Sequence, residues 1–269
     1  MIFEITSKDN LHIKRAKKIL DSSKFRKQER CFLVEGVRMC EEAFKSGNKI
    51  TEVFYTEKCF EKFSDIVSKI SKISEKSFVI NEKISKLISD TDTPQGIFCI
   101  CEFPENTMFD MNSSDRIVLL ENIQNPSNLG SILRTCDALG IRTVAVSQGS
   151  CDVYNSKVLR GSMGAVFRLN ICFFENTAKF IRELQEEKGF KIYATVPHDD
   201  SLILGTTDFK GKCGIILGNE GNGLTQDAID ECFGKITIPM NKQSESLNVS
   251  VAAGISIWEM INRGGDLYG

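Results

Sequence analysis

The residue types able to do chemistry in this chain collect in a few short stretches. Gly218-Asn219-Glu220-Gly221-Asn222-Gly223 sets three glycines around one carboxylate, directly after the apolar run Gly214 to Leu217. Glycines there let the backbone turn sharply and approach a ligand closely. Ser246-Leu247-Asn248 opens an apolar helix running to about Ile261, and Asn128 stands six positions before Arg134 at the mouth of another helix. Amide, guanidinium and carboxylate groups around a glycine-rich, apolar pocket suit positioning and electrostatic stabilisation more than covalent catalysis. Structural readings stand beside the chemical ones. Asn128 and Ser246 both read as helix caps, and Arg134 could simply pair with Glu220.

Other chemistries find no support. No GxGxxG follows the strand Arg116–Leu120, and no P-loop lysine pattern occurs. The glycine turn has no Ser or Cys at its centre, so it is not a nucleophile elbow. Ten cysteines are scattered through apolar segments without a CxxC pair, and the two histidines, His12 and His198, build no metal-ligand spacing. Buried, reduced thiols are the expected state. No apolar signal core or membrane-length run is present, so a cytoplasmic, soluble protein is expected.

Those candidate groups need elements to carry them. The 269 residues suffice for two modest domains. Strands are expected at Cys31–Val34, Glu52–Tyr55, Phe78–Ile80 and Gly96–Cys101, alternating with helices, which makes a small α/β unit over 1–103. The polar, irregular stretch 104–115 reads as a linker. A second unit, 116–269, follows with strands Arg116–Leu120, Thr143–Ser147, Lys191–Val196, Gly214–Leu217 and Ile236–Ile238. These apolar runs alternate with helices and predict a parallel sheet covered on both faces. Two strand ends and a helix start converge on one edge, where open α/β sheets place ligands.

Charge is uneven. The chain carries a formal net charge of −2, yet residues 1–30 hold nine Lys/Arg against four Asp/Glu. A basic end on an acidic protein suggests a docking surface, or equally a solvated amphipathic helix; Lys14, Arg15, Lys24, Arg26, Lys27 and Arg30 are the candidate RNA contacts. Phe25 within that run either stacks a base or packs inward.

Three longer segments carry a resemblance. NPSNLGSILRTCDALG, IILGNEGNGL and IPMNKQSESLNVSVAAGISIWEM resemble the three ordered motifs of the SpoU/TrmH family of RNA ribose 2′-O-methyltransferases, and TPQGI before the strand at 96–101 is similar to that family's L30e-like substrate-binding domain. The resemblance implies a trefoil-knotted SPOUT domain, a homodimer and S-adenosylmethionine as cofactor. Carried over residue by residue, it implies cofactor contacts at Leu217, Gly218, Asn219, Glu220 and Gly221, at Ile238, Pro239 and Met240, and at Ser246, Leu247 and Asn248, with Thr195 joining them. It also implies catalytic roles for Arg134, Asn128, Glu220, Asn248 and Ser246, on ribosomal RNA. A tRNA substrate, or a non-catalytic RNA-binding protein on the same fold, are the alternatives. A dinucleotide-dependent enzyme lacks its glycine fingerprint.

Overall fold

The computed structural model describes residues 2–104, 115–197, 201–241, 243 and 246–264. Contacts divide the chain into two compact units, Met1–Glu105 with Asp152–Phe167, and Asn106–Cys151 with Arg168–Gly269. The linker expected at 104–115 falls almost wholly on 105–114, outside the described residues. Asp152–Phe167, inside the stretch assigned to the second domain, groups with the first unit.

The first unit runs β1 (Ile2–Ile5), α1 (Leu11–Asp21), α2 (Ser23–Glu29), β2 (Cys31–Glu35), α3 (Val37–Lys45), β3 (Ile50–Tyr55), α4 (Glu57–Ile73), β4 (Lys76–Ile80), α5 (Glu82–Leu87) and β5 (Ile97–Glu102). Among the described residues its sheet has the order β1-β4-β3-β5-β2, parallel from β1 to β3 and antiparallel at β5. Ile13, Ala16 and Ile19 recur three apart on α1 and bury its inner stripe in the core with Leu33, Phe54, Phe78 and Ile100. The Thr-Pro-Gln-Gly turn is structural. Gln95 Oε1 accepts from the Val37 N–H at 2.8 Å and caps α3, where Gly36 offers no side chain. Gly96 has φ +79°, and a Cβ there would meet Thr56 Oγ1 at 2.4 Å.

The second unit contains β6 (Arg116–Leu120), α6 (Pro126–Ala138) and β7 (Thr143–Ser147). The helix α7 (Ser156–Ser162) belongs to the first unit, and the chain then returns through β8 (Asn170–Phe174), α8 (Thr177–Glu186), β9 (Lys191–Thr195), β10 (Leu202–Ile203), β11 (Cys213–Leu217), α9 (Gln226–Glu231), β12 (Gly234–Thr237) and α10 (Val249–Gly264). Every pairing described in this sheet is parallel, in the order β10-β12-β9-β11-β6-β7-β8. β6, β7 and β11 are buried along their whole length, which is why their interiors, Ile117 to Leu120, Val144 to Val146 and Cys213 to Leu217, read as apolar runs. Parallel strands send all their carboxyl ends to one edge, so the loops after β6, β9, β11 and β12 gather there.

Candidate functional site: a cavity at the strand ends of the second unit

The loop after β6 enters α6 through Asn125, whose side chain accepts from the Ser127 N–H at 2.9 Å, with Pro126 in the first turn. Asn125 is thus the cap, and Asn128, expected there, is instead a buried residue of the helix itself. Its amide faces the glycine turn. Asn128 Nδ2 donates to Glu220 Oε1 at 3.0 Å, and Asn128 Oδ1 accepts from Asn248 Nδ2 at 3.1 Å. Asn248 also corrects the second cap. Its Oδ1 accepts from the Ser250 N–H at 2.9 Å, so Asn248, not Ser246, caps α10, which starts at Val249.

Glu220 is tied to the same loop by the backbone N–H groups of Gln124 and Asn125, each 3.0 Å from a carboxylate oxygen. Burial works against its ionisation, but the Asn128 amide and the two N–H donors outweigh it and hold the carboxyl below the usual glutamate range. Arg134 does not pair with it. Arg134 is exposed on α6 and is not among the described residues lining the cavity.

The turn carrying Glu220 closes on itself. Asn219 and Gly223 exchange backbone hydrogen bonds at 2.9 and 3.0 Å, and Asn219 Oδ1 accepts from the Gly221 and Asn222 N–H groups. A Cβ at Gly218 would lie 2.3 Å from the Gly223 carbonyl carbon, so glycine is required there by the turn's own backbone.

Between these loops is a cavity of about 950 Å³. Leu217 to Leu224 form one wall, Thr195 to Pro197 and the segment around Ile238 and Met240 another, and Ser246 to Val249 a third, with Gln124, Asn125 and Asn128 closing it. Of the residues assigned from sequence to cofactor contact, Pro239 alone does not line it. Glu220 is the one charged side chain among the described lining residues. The Thr195 hydroxyl is buried at the wall and has no hydrogen-bond partner among the described residues. With no cation among its described lining residues, the cavity suits a neutral or cationic ligand with polar groups for backbone amides and Thr195. Sequence reasoning passed over Gln124, Gln226 and the buried Glu121. An acid placed directly after an all-apolar strand was the available signal for the last.

The basic segment of the first unit is sorted by its partners. Arg26 is 3 % exposed. It pairs with Asp152 at 2.7 Å and donates to the Ile19 and Leu20 carbonyls, which removes it from the docking set. Arg15 is shared between Glu29 and Glu52, and Lys14 pairs with Asp9. Phe25 packs against the core rather than presenting a free ring. Lys24, Lys27 and Arg30 are exposed. None of the ten cysteines is in a disulfide, and burial pushes Cys31 and Cys59 up to about 11 and Cys172 and Cys232 up to about 12, so these four are not activated nucleophiles.

Known proteins with this architecture agree on its class. Residues 115–258 match the model of the SpoU rRNA Methylase family, and residues 10–99 match an MRM3-like substrate binding domain. The chain is 30 % identical over 267 residues to the 23S rRNA (guanosine(2553)-2′-O)-methyltransferase RlmP of Bacillus subtilis, covering 96 % of this chain and 98 % of that one. It is 33 % identical over 147 residues to the 23S rRNA (guanosine-2′-O-)-methyltransferase RlmB of Xanthomonas campestris, covering 55 % of this chain and 58 % of that one. The AdoMet-bound rRNA methyltransferase from Sinorhizobium meliloti superposes with a TM-score of 0.87 at 27 % identity, over 100 % of this chain and 99 % of that one. The three motifs, the parallel sheet and the cavity at its carboxyl edge meet in one assignment: the chain belongs to the SpoU rRNA methylase family.

Proposed function

We propose that this protein is an S-adenosylmethionine-dependent methyltransferase that modifies a ribose 2′-hydroxyl in RNA, with large-subunit ribosomal RNA as the substrate. The observation that carries the reading is the cavity itself, walled by three loops that Glu220, Asn128 and Asn248 tie together, with a single carboxylate as the charge among its described lining residues. The full-length likeness to an enzyme named for 23S rRNA favours that substrate over tRNA.

The residues fit the cofactor. The orphaned Thr195 hydroxyl offers a polar contact, Leu217, Ile238 and Leu247 an apolar bed, and the Gly218–Gly221 backbone a close approach. Bound S-adenosylmethionine supplies an electrophilic methyl on a positively charged sulfur. Glu220 places a negative charge at the cavity wall, held in place by neutral donors. Asn128 and Asn248 fix the distance between α6 and α10 at the reacting edge. A guanidinium offers only donors, so the role of Arg134 is electrostatic: it stabilises the developing alkoxide and holds an adjacent phosphate. Ser246, exposed at the cavity mouth, adds a phosphate contact.

We further infer a homodimer and a trefoil knot within 116–269. Support for the dimer is the outward stripe of α10, where Val251, Ile255 and Trp258 are 50 %, 40 % and 46 % exposed at helical spacing. The functional division is 1–103 for RNA holding and 116–269 for methyl transfer, with Lys24, Lys27 and Arg30 as the phosphate contacts. Action in the cytoplasm follows from that substrate, and no described helix is long and apolar enough to cross a membrane.

The test is transfer of labelled methyl from S-adenosylmethionine to unmodified 23S rRNA, followed by alkaline digestion. Label in alkali-resistant dinucleotides is expected, because 2′-O-methylation blocks cleavage at that ribose. Label on a base, or none on any RNA, would overturn the reading; label on tRNA alone would replace the substrate. Arg134→Ala is expected to lose transfer with cofactor affinity nearly unchanged.

A further inference from the structure

The carboxylate of Glu121 is buried at the end of β6, 2 % exposed, and takes no part in the chemistry above. Both its oxygens are used. Glu121 Oε2 accepts from the Thr225 N–H at 2.9 Å, and Oε1 accepts from the Thr225 hydroxyl at 2.9 Å. Thr225 ends the glycine turn and caps α9, its own oxygen accepting from the Ala228 N–H. The attachment is therefore to the far end of the segment whose near end leaves β11.

A second link runs the other way. Glu220, on the glycine turn, binds the N–H groups of Gln124 and Asn125 on the loop that Glu121 begins. Each loop thus contributes a carboxylate that grips backbone of the other. The backbone bond from the Glu121 N–H to the Leu217 carbonyl, 2.8 Å, anchors both at their common root. With the loop fixed at Leu217, Glu220 and Thr225, the turn between Gly218 and Leu224 has three points of attachment, and the wall of the cavity is set by them.

We propose that Glu121 is a positioning residue for cofactor binding, acting through Thr225 to hold the glycine turn in the shape that receives the ligand. The assignment rests on the methyltransferase reading for the identity of the ligand, but the clamp itself does not. Removing Glu121 leaves the Thr225 N–H and hydroxyl without their acceptor, and the turn gains freedom that binding must then remove. The loss should be confined to this turn, because Glu121 bonds nothing else through its side chain among the described residues.

The experiment uses Glu121→Ala, Thr225→Val, their double variant and Thr225→Ser in the full chain. Calorimetric titration with S-adenosylmethionine should show roughly tenfold weaker binding for Glu121→Ala and for Thr225→Val. The double variant should lose less than the sum of the single losses, since Thr225→Val removes one of the two bonds that Glu121→Ala removes. Thr225→Ser keeps the hydroxyl and should match the parent. In turnover, the cofactor KM should rise more than kcat falls. Hydrogen exchange in ligand-free protein should quicken at the Gly221, Asn222 and Gly223 amides and stay unchanged in β7, a pattern that a general loss of stability would not give. Unchanged exchange and affinity in Glu121→Ala, or additive losses in the double variant, would overturn the proposal. If Glu121→Ala fails to fold, Thr225→Val against Thr225→Ser decides it by the same readings. If the parent binds no S-adenosylmethionine, the functional reading falls, and the exchange measurement still decides the clamp.

Discussion

The first unit and the loops at the cavity edge of the second hold their carboxylates differently. In the first, Glu52 faces Arg15 at 2.9 Å and His12 at 3.2 Å, Asp152 faces Arg26, and Asp90 faces Arg160 at 3.0 Å. Glu35 is the exception there, held by the Ser89 and Thr91 hydroxyls and the Asp90 N–H. In the second unit, Glu220 at the cavity wall and Glu121 behind the glycine turn meet amide and hydroxyl donors and no cation among the described residues. A carboxylate matched by arginine has its field cancelled inside the fold. One held by neutral dipoles stays in place and keeps its net charge, which at a cavity wall favours a cationic ligand. The first arrangement builds a scaffold; the second builds a receptor for positive charge.

This contrast is most open to attack at the turn that carries Glu220. Gly218→Ala should reduce S-adenosylmethionine binding by about a hundredfold or more, because the added carbon meets backbone that cannot move aside. Titration of the folded variant checks it, and near-parent affinity would detach the glycine turn from the cavity's function.

On the scaffold side, Arg26→Ala should cost about 3 kcal/mol of stability by leaving the half-buried Asp152 with the Tyr154 N–H but without its cation. Denaturant unfolding reads the loss, and cofactor affinity in the surviving folded protein should hold. A variant as stable as the parent would show this pair to be idle.

Glu220→Gln separates charge from shape, since it removes the first and nearly preserves the second. S-adenosylmethionine affinity should fall roughly tenfold, about 1.4 kcal/mol, and S-adenosylhomocysteine, which lacks the sulfonium charge, should lose less. Acid should mimic the variant. Because the folded carboxyl lies below the ordinary 4.5, its contribution is complete above that value and is lost only as pH falls through the lowered one. Equal losses for both ligands would mean that Glu220 works by geometry alone.

The smallest effect belongs to the exposed cations. Lys27→Glu with Arg30→Glu should weaken RNA binding and flatten its salt dependence by roughly 0.7 to 0.9 for each phosphate no longer neutralised. Filter binding over a salt series measures it; a parallel slope at unchanged affinity would remove these residues from the RNA surface.

What was legible in the sequence follows from how local each feature is. The central strands β6, β7 and β11 were readable because burial on both faces writes an apolar run. Edge strands were not: β1, with Ile2 and Phe3 exposed, and β8, of mixed burial, leave no such pattern. Both caps slipped by a few residues, since turns rich in Asn and Ser offer several side chains of the right kind and geometry selects one. Arg26 reads as surface in the run Lys24 to Arg30, but α2 turns it inward toward Asp152, 126 positions away. Glu121 was missed for a like reason, its partner Thr225 lying 104 positions on. Motif residues were found because the family repeats them in order, while the bonds that position them span the chain.

Everything proposed for the second unit depends on S-adenosylmethionine occupying the cavity at the carboxyl edge of its sheet. Hydrogen exchange of the full chain with and without S-adenosylmethionine reads that occupancy segment by segment. Added protection is expected in 218–224, around 237–241 and at 246–249, with the amides of β2 and β5 unchanged. Protection confined to other segments, or none at concentrations that saturate a methyltransferase, would contradict it.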